Sequence, residues 1–220
     1  MTGQTGSPRP LIAVLDYGIG NLRSAQKALE HVGADAHLTT DPDVVAEADG
    51  VVLPGVGAFG RCREELSRTG LDDVALQAIS AGQPFLGICV GMQLLYEASE
   101  ETPGVAGLGV LSGVVRRLPD GVKRPQMQWN QLEITAPSPL FEGLGDRPWM
   151  YFVHSFAAEA GADLAASCDY GGPVTAAAWN GNVHATQFHP EKSGRGGLAV
   201  LENFVKLAAG VPAAVEEHQQ

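Results

Sequence analysis

The segment Gly87-Ile88-Cys89-Val90-Gly91 sets a thiol between two glycines, behind a short apolar run and ahead of a helical pattern. This is the G-x-nucleophile-x-G arrangement with cysteine in the serine place. A sharp strand-to-helix elbow forces the central residue into strained backbone geometry, and side chains at 87 and 91 would obstruct the chains that approach it. A helix starting after the elbow would also lay partial positive charge beside the sulfur. On the pentapeptide alone, a buried cysteine closing a strand stays an open alternative. A thiol nucleophile needs a base, and residues 186–192 offer His189 with Glu191 two positions on. Pro190 keeps that segment extended, where i and i+2 point the same way, so a carboxylate can fix the imidazole tautomer and stabilise its charged form. Acyl transfer further needs donors for an oxyanion. In Leu53 to Gly60, Gly55 and Gly57 leave backbone N–H groups uncovered, and one such donor is worth roughly 3 to 4 kcal/mol in the transition state. Cys62, on a helical pattern, and Cys168, within a strand, read as packed core thiols.

These residues must be held by a framework, and the first half of the chain supplies alternation. Leu11 to Gly18 reads as a buried strand, Asn21 caps a helical pattern that ends at Gly33, and residues 35–40 form a second strand. Asp41 as N-cap with Pro42 at the first helical position opens another helix, and Gly50 to Gly55 is a third strand. Helices over about 59–67 and 71–81 precede the strand Pro84 to Cys89, and the helix after the elbow is expected from Gly91 to about Ser99. Short apolar strands alternating with amphipathic helices imply parallel pairing with right-handed crossovers, hence an open α/β sheet. From about Val110 the rhythm turns to strands and turns, including two alternating runs joined at Asn180-Gly181, a hairpin signal that makes the C-terminal half mixed or antiparallel. A helix over Gly197 to Ala209 closes the fold. The reading is a single domain over 11–210, with tails at 1–10 and 211–220.

Composition excludes several function classes. A formal charge of −11 with only 14 Lys plus Arg disfavours a phosphate-backbone partner, so no nucleic acid is expected. The first apolar run is too short for a signal-peptide core or a membrane span. Three cysteines without a CxxC pair leave one unpaired in any disulfide scheme, which suits a reducing, cytoplasmic setting and gives a metal site no support. Gly18 and Gly20 follow the first strand, but Arg23 stands where a dinucleotide fingerprint has its third glycine. No organic cofactor or metal is expected.

Taken together, residues 54–60, 87–97 and 187–193 resemble, in order and over most of the chain, the class I glutamine amidotransferases. The resemblance implies the flavodoxin-like α/β fold of that class and a Cys-His-Glu triad of Cys89, His189 and Glu191. It further implies oxyanion N–H groups from Gly57 and Val90, and glutamine contacts from Gly55, Gln93, Ser155 and Phe156. Within the class, residues 16–24, 54–62, 128–132 and 151–156 resemble the glutaminase subunits of imidazole glycerol phosphate synthase, a histidine-biosynthesis enzyme. That likeness implies a separate (βα)8-barrel cyclase as heterodimer partner, receiving ammonia released from L-glutamine, with Asn21, Trp129 and Lys192 facing it. Glutaminases of other synthases, of the anthranilate or pyridoxal phosphate type, a silent partner-stabilising relative and a stand-alone γ-glutamyl hydrolase are the alternatives. The chain departs from the pattern at Gln128, where glycine is common, and at Gln126, where histidine is frequent.

Overall fold

A computed structural model describes residues 9–210. The expected tails therefore lie outside the described residues, except for Arg9 and Pro10. The first half runs β1 (Leu11–Leu15), α1 (Leu22–His31), β2 (Asp35–Thr39), α2 (Pro42–Glu47), β3 (Gly50–Gly55), α3 (Phe59–Arg68), α4 (Leu71–Ser80), β4 (Phe85–Cys89) and α5 (Val90–Leu94). The second half continues with β5 (Ala98–Ser99), β6 (Val114–Arg117), β7 (Gln126–Gln131), β8 (Glu133–Ile134), β9 (Trp149–His154) and β10 (Phe156–Ala158). It ends with β11 (Leu164–Asp169), β12 (Pro173–Asn180), β13 (Val183–Thr186) and α6 (Gly194–Ala208).

The main sheet has the order β2-β1-β3-β4-β13-β12-β11-β8. Its first five strands pair in parallel, and the last three continue it antiparallel. This is the mixed, mostly parallel α/β architecture expected from the alternation. A three-stranded sheet, β10-β6-β5, and a two-stranded ribbon, β7-β9, stand beside it. The parallel strands read as unbroken apolar runs because both faces are covered: Ile12, Ala13, Val14, Val51, Val52, Leu53, Phe85 and Leu86 are all fully buried. Helix α6 sends Val200, Leu201 and Phe204 into the same core, each burial worth about 1.5–3 kcal/mol. Among the described residues no helix is long and apolar enough to cross a membrane.

Several local expectations change. Asp41 caps α2 as anticipated, accepting from the Asp43 N–H at 3.0 Å. Asn21 precedes α1 but makes no side-chain cap. The expected helix from Gly91 to Ser99 begins one residue earlier and stops at Leu94, because tertiary partners take the carbonyls it needs. Leu108 N–H donates to Leu94 O (2.7 Å), Val110 N–H donates to Leu95 O (2.8 Å), and Ala98 and Ser99 pair with β6 instead. The β12–β13 hairpin turns at Gly181-Asn182 rather than Asn180-Gly181, since Asn180 still pairs with Val183. Gly181 alone carries a positive φ (58°) there, so glycine is needed only at the first central position. Strand β7 was not anticipated. It places Gln128 in ordinary extended backbone opposite Phe152, so glutamine fits where glycine is common.

Two buried histidines make the fold acid-sensitive. Burial depresses the pKa of His154 to about 4, with the nearby His189 adding to the effect, and burial depresses that of His184 to about 4. The unfolded chain protonates these rings near 6.5 while the folded chain resists, so stability falls as pH drops from about 6.5 to about 4. The loss is up to about 3 kcal/mol per ring. Thermal denaturation between pH 7 and 4.5 should show the decline, and His184→Leu should flatten part of it.

Candidate active site

The sheet order makes β3, β4 and β13 neighbours, so the loops that follow them emerge at one edge. Gly55 pairs with Cys89, Ile88 pairs with Thr186, and His189 lies three residues beyond that pair. Cys89 adopts φ 55° and ψ −110°, the one non-glycine residue with positive φ among those described. The surrounding glycines explain how it is held. A Cβ on Gly91 would overlap the carbonyl oxygen of Leu53, and one on Gly87 would come within 3.0 Å of the Gly91 oxygen and the Met92 Cα. A Cβ on Gly55 would meet the Gly91 nitrogen at 2.7 Å. The elbow is wedged against β3 so closely that only glycine fits. The helix after it is a five-residue turn, far shorter than expected, which weakens any dipole argument for the sulfur.

His189 Nδ1 and Glu191 Oε1 are 2.8 Å apart, with both side chains only 2% exposed. The contact does not come from an extended segment. Residues Pro190–Lys192 form a single 3-10 turn, and that turn folds the carboxylate back under the ring. Asn21 Nδ2 donates to the same Glu191 oxygen at 3.2 Å, which is where its side chain goes instead of capping α1. Burial opposes charge on His189, but the Cys89 sulfur and the Glu191 carboxylate outweigh it and push the ring's pKa up to about 9. Burial alone would raise Glu191. Hydrogen bonding and charge from His189, with the Asn21 amide, hold it below the usual carboxylate range. His189 Nε2 is buried and makes no hydrogen bond of ordinary geometry to the protein.

A cavity of about 540 Å³ opens onto this group, a size suited to a small metabolite. Gly57, Cys89, Val90, Gln93, Ser155, Phe156 and His189 line it, with Asn21 and Lys192 also on its wall. Gly55, expected to contact glutamine, does not line the cavity; it is packed close to Gly91 and the Tyr17 hydroxyl. Trp129 lies outside it on β7. Gln93 Nε2 donates to Phe156 O and to Gln187 Oε1, each at 3.0 Å, so its carbonyl oxygen is the half of the amide left for a ligand.

Some participants carried no signal strong enough to single them out. The Tyr17 hydroxyl donates to Pro54 O at 2.7 Å and Cys62 Sγ donates to Val56 O at 3.3 Å, so both brace the strand end that leads to Gly57. Glu101 lines the cavity and accepts the Phe59 N–H at 2.7 Å. Cys62 is the fully buried thiol expected, and Cys168 is buried too. Among the described residues no group of three or more His, Cys, Asp or Glu is placed to hold a metal ion.

The family model for class-I glutamine amidotransferases matches residues 13–208. A Methanothermobacter thermautotrophicus protein named imidazole glycerol phosphate synthase subunit HisH is 52% identical over 198 residues, 90% of this chain and 98% of that one. The protein of that name from Geobacter sulfurreducens is 48% identical over 205 residues, 89% of this chain and 98% of that one. Among solved structures, PurLQS from Thermotoga maritima superimposes with a TM-score of 0.74 at 20% identity, covering 91% of this chain and 99% of that one. A Thermoplasma acidophilum structure described as a putative GMP synthase component gives 0.70 at 21% identity, covering 93% and 96%. At those identities the likeness concerns the fold.

The geometry yields two expectations. Gly91→Ala should destabilise the protein by about 1–3 kcal/mol in urea unfolding, because β3 or the elbow must move to admit the methyl. Glu191→Gln keeps a polar partner but removes an attracting charge. The His189 pKa should fall from about 9 toward its ordinary value, as read by NMR titration of the ring.

Proposed function

We propose, from the premise that the chain belongs to the class I glutamine amidotransferases and within them to the HisH glutaminase subunits of imidazole glycerol phosphate synthase, that Cys89, His189 and Glu191 are its catalytic triad. The observation that carries this reading is the buried His189–Glu191 pair facing, across one cavity, a cysteine held in left-handed backbone. The Cys89 thiolate attacks the side-chain carboxamide carbon of L-glutamine, and the resulting oxyanion sits on the N–H groups of Gly57 and Val90. Protonated His189 gives its proton to the departing nitrogen, so the C–N bond breaks, ammonia leaves and a γ-glutamyl thioester remains. The sulfur is then no longer anionic, and one of the attractions that held the proton on the ring is gone. His189 therefore becomes a base for water, which releases glutamate and regenerates the thiolate. The acid and base roles thus follow from one pKa that the reacting sulfur itself moves. Gln93, through its carbonyl oxygen, and the backbone around Ser155 and Phe156 hold the amino-acid end of the substrate.

The ammonia goes to a (βα)8-barrel cyclase subunit that makes imidazole glycerol phosphate and AICAR. Met127, Trp129 and Trp149 are the exposed large hydrophobic residues among those described. Register places all three on one face of the β7-β9 ribbon, since Met127 pairs with Val153, Trp129 with Tyr151 and Gln131 with Trp149. That face adjoins Val153 and Lys192 at the cavity, and an apolar patch beside an active-site mouth suits a docked partner. Asn21 contributes on the inner side, through Glu191. A cytoplasmic setting fits the three free cysteines. Catalysis is gated at the oxyanion loop. Gly55 is too tightly packed to turn, so the movable part narrows to the Val56–Gly57 peptide, where Gly57 has φ 90° and open space around it and a turn breaks the Cys62 Sγ–Val56 O bond.

Glutamate release by the purified chain, alone and with the barrel subunit bound to its ribonucleotide ligand, tests the reading. Turnover should be low alone, rise by orders of magnitude in the liganded complex, and vanish in Cys89→Ala. Full turnover without the partner would instead identify an independent hydrolase.

A further inference from the structure

Gln187 is fully buried between β13 and His189, does not line the cavity, and has no part in the chemistry set out above. Its Nε2 lies 3.7 Å from Cys89 Sγ, a length suited to a large, soft acceptor, and its Oε1 accepts from Gln93 Nε2 at 3.0 Å. The direction of these amides is settled by one group. The carbonyl oxygen of Phe156 can only accept, so the Gln93 atom 3.0 Å from it is the NH2. That NH2 also faces Gln187, so Gln187 presents its oxygen there. Its own NH2 is thereby turned toward the sulfur. The backbone N–H of Gln187 donates to Ala176 O at 2.8 Å, which anchors the residue to β12.

We propose that Gln187 is a positioning residue for the nucleophile, a donor fixed behind the Cys89 sulfur that stabilises its anionic form and aims it at the substrate. The inference rests on Cys89 being the nucleophile. A donor to an ionised acceptor is the stronger kind of hydrogen bond, and in a dry interior the Phe156–Gln93–Gln187 chain adds polarisation to it. Because the donor approaches from the protein side, the cavity side of the sulfur stays free for glutamine and for His189. Gln93 then has two connections, with its oxygen toward the substrate and its nitrogen toward the group that orients the nucleophile.

Gln187→Leu keeps comparable bulk without a donor. In the complex with the barrel subunit, kcat for glutamate release should fall about 5- to 30-fold, the equivalent of about 1 to 2 kcal/mol, while KM stays within about twofold. Iodoacetamide labelling of the Cys89 peptide, followed by mass spectrometry near neutral pH, should slow by a similar factor with no substrate present. A purely structural role would not produce that matched loss. Unchanged labelling and kcat in a folded variant would overturn the proposal. Should Gln187→Leu fail to fold, Gln93→Met removes the group that orients Gln187, and labelling of Cys89 should again slow; an unchanged rate there would also overturn it. Turnover surviving in Cys89→Ala would sink the triad reading itself. An inactive Cys89→Ala beside a normal Gln187→Leu would sink only the positioning role.

Discussion

A cysteine at φ 55° and ψ −110° persists only if its neighbours leave it no alternative, and here the constraint is the contact between the elbow and β3. Gly91 lies so close to the Leu53 carbonyl that no side chain fits between them, and a side chain at Gly55 would also collide with the Gly91 nitrogen, though less severely. Those contacts exist because β3 and β4 pair in register up to Gly55 and Cys89. Much of the site depends on that registration. It sets the sulfur at the C-terminal end of the central strands, brings Gly57 to the same cavity, and turns the following chain into α5. The strain is of order 1–3 kcal/mol and must be offset by the surrounding core.

Strand β13 supplies the second half of the constellation by pairing with β4 on its other side. Thr186 stays in the ladder, and the chain then leaves the sheet so that His189 and Glu191 close under the elbow through a 3-10 turn. The buried pair is stable as charges because each partner offsets the other's desolvation and Asn21 satisfies part of the carboxylate. The same arrangement makes the proton affinity of His189 depend on the sulfur's charge, so in the proposed mechanism the first half of the reaction prepares the second.

Behind the proposed triad runs a layer of buried side chains: two amides, a hydroxyl and a thiol. Gln187 and Gln93 connect the sulfur to the Phe156 carbonyl, while Tyr17 and Cys62 hold the Pro54 and Val56 carbonyls of the segment before Gly57. The Cys62 contact falls on the Val56–Gly57 peptide itself, so the turn proposed there has to break it. The exposed ribbon β7-β9 stands at the opposite extreme, with large side chains turned outward beside the cavity wall.

What was legible without a fold was local. The glycines around Cys89, the spacing of His189 and Glu191, the Asp41-Pro42 helix start and the alternation of apolar strands with helices each depend on backbone preferences within a few residues. Even so, the His189–Glu191 contact is made by the 3-10 turn at Pro190 and not by the extended segment that the i, i+2 spacing suggests. Only the tertiary structure decided where α5 stops, since the carbonyls from Leu94 to Glu97 are taken by residues ten or more positions on. It also decided that Asn21 serves Glu191 from 170 residues away, and that Gln187 reaches Cys89 across 98 and Gln93 across 94. No periodicity encodes such partners. They are set by the order of strands in the sheet, and that order is a property of the packed core as a whole.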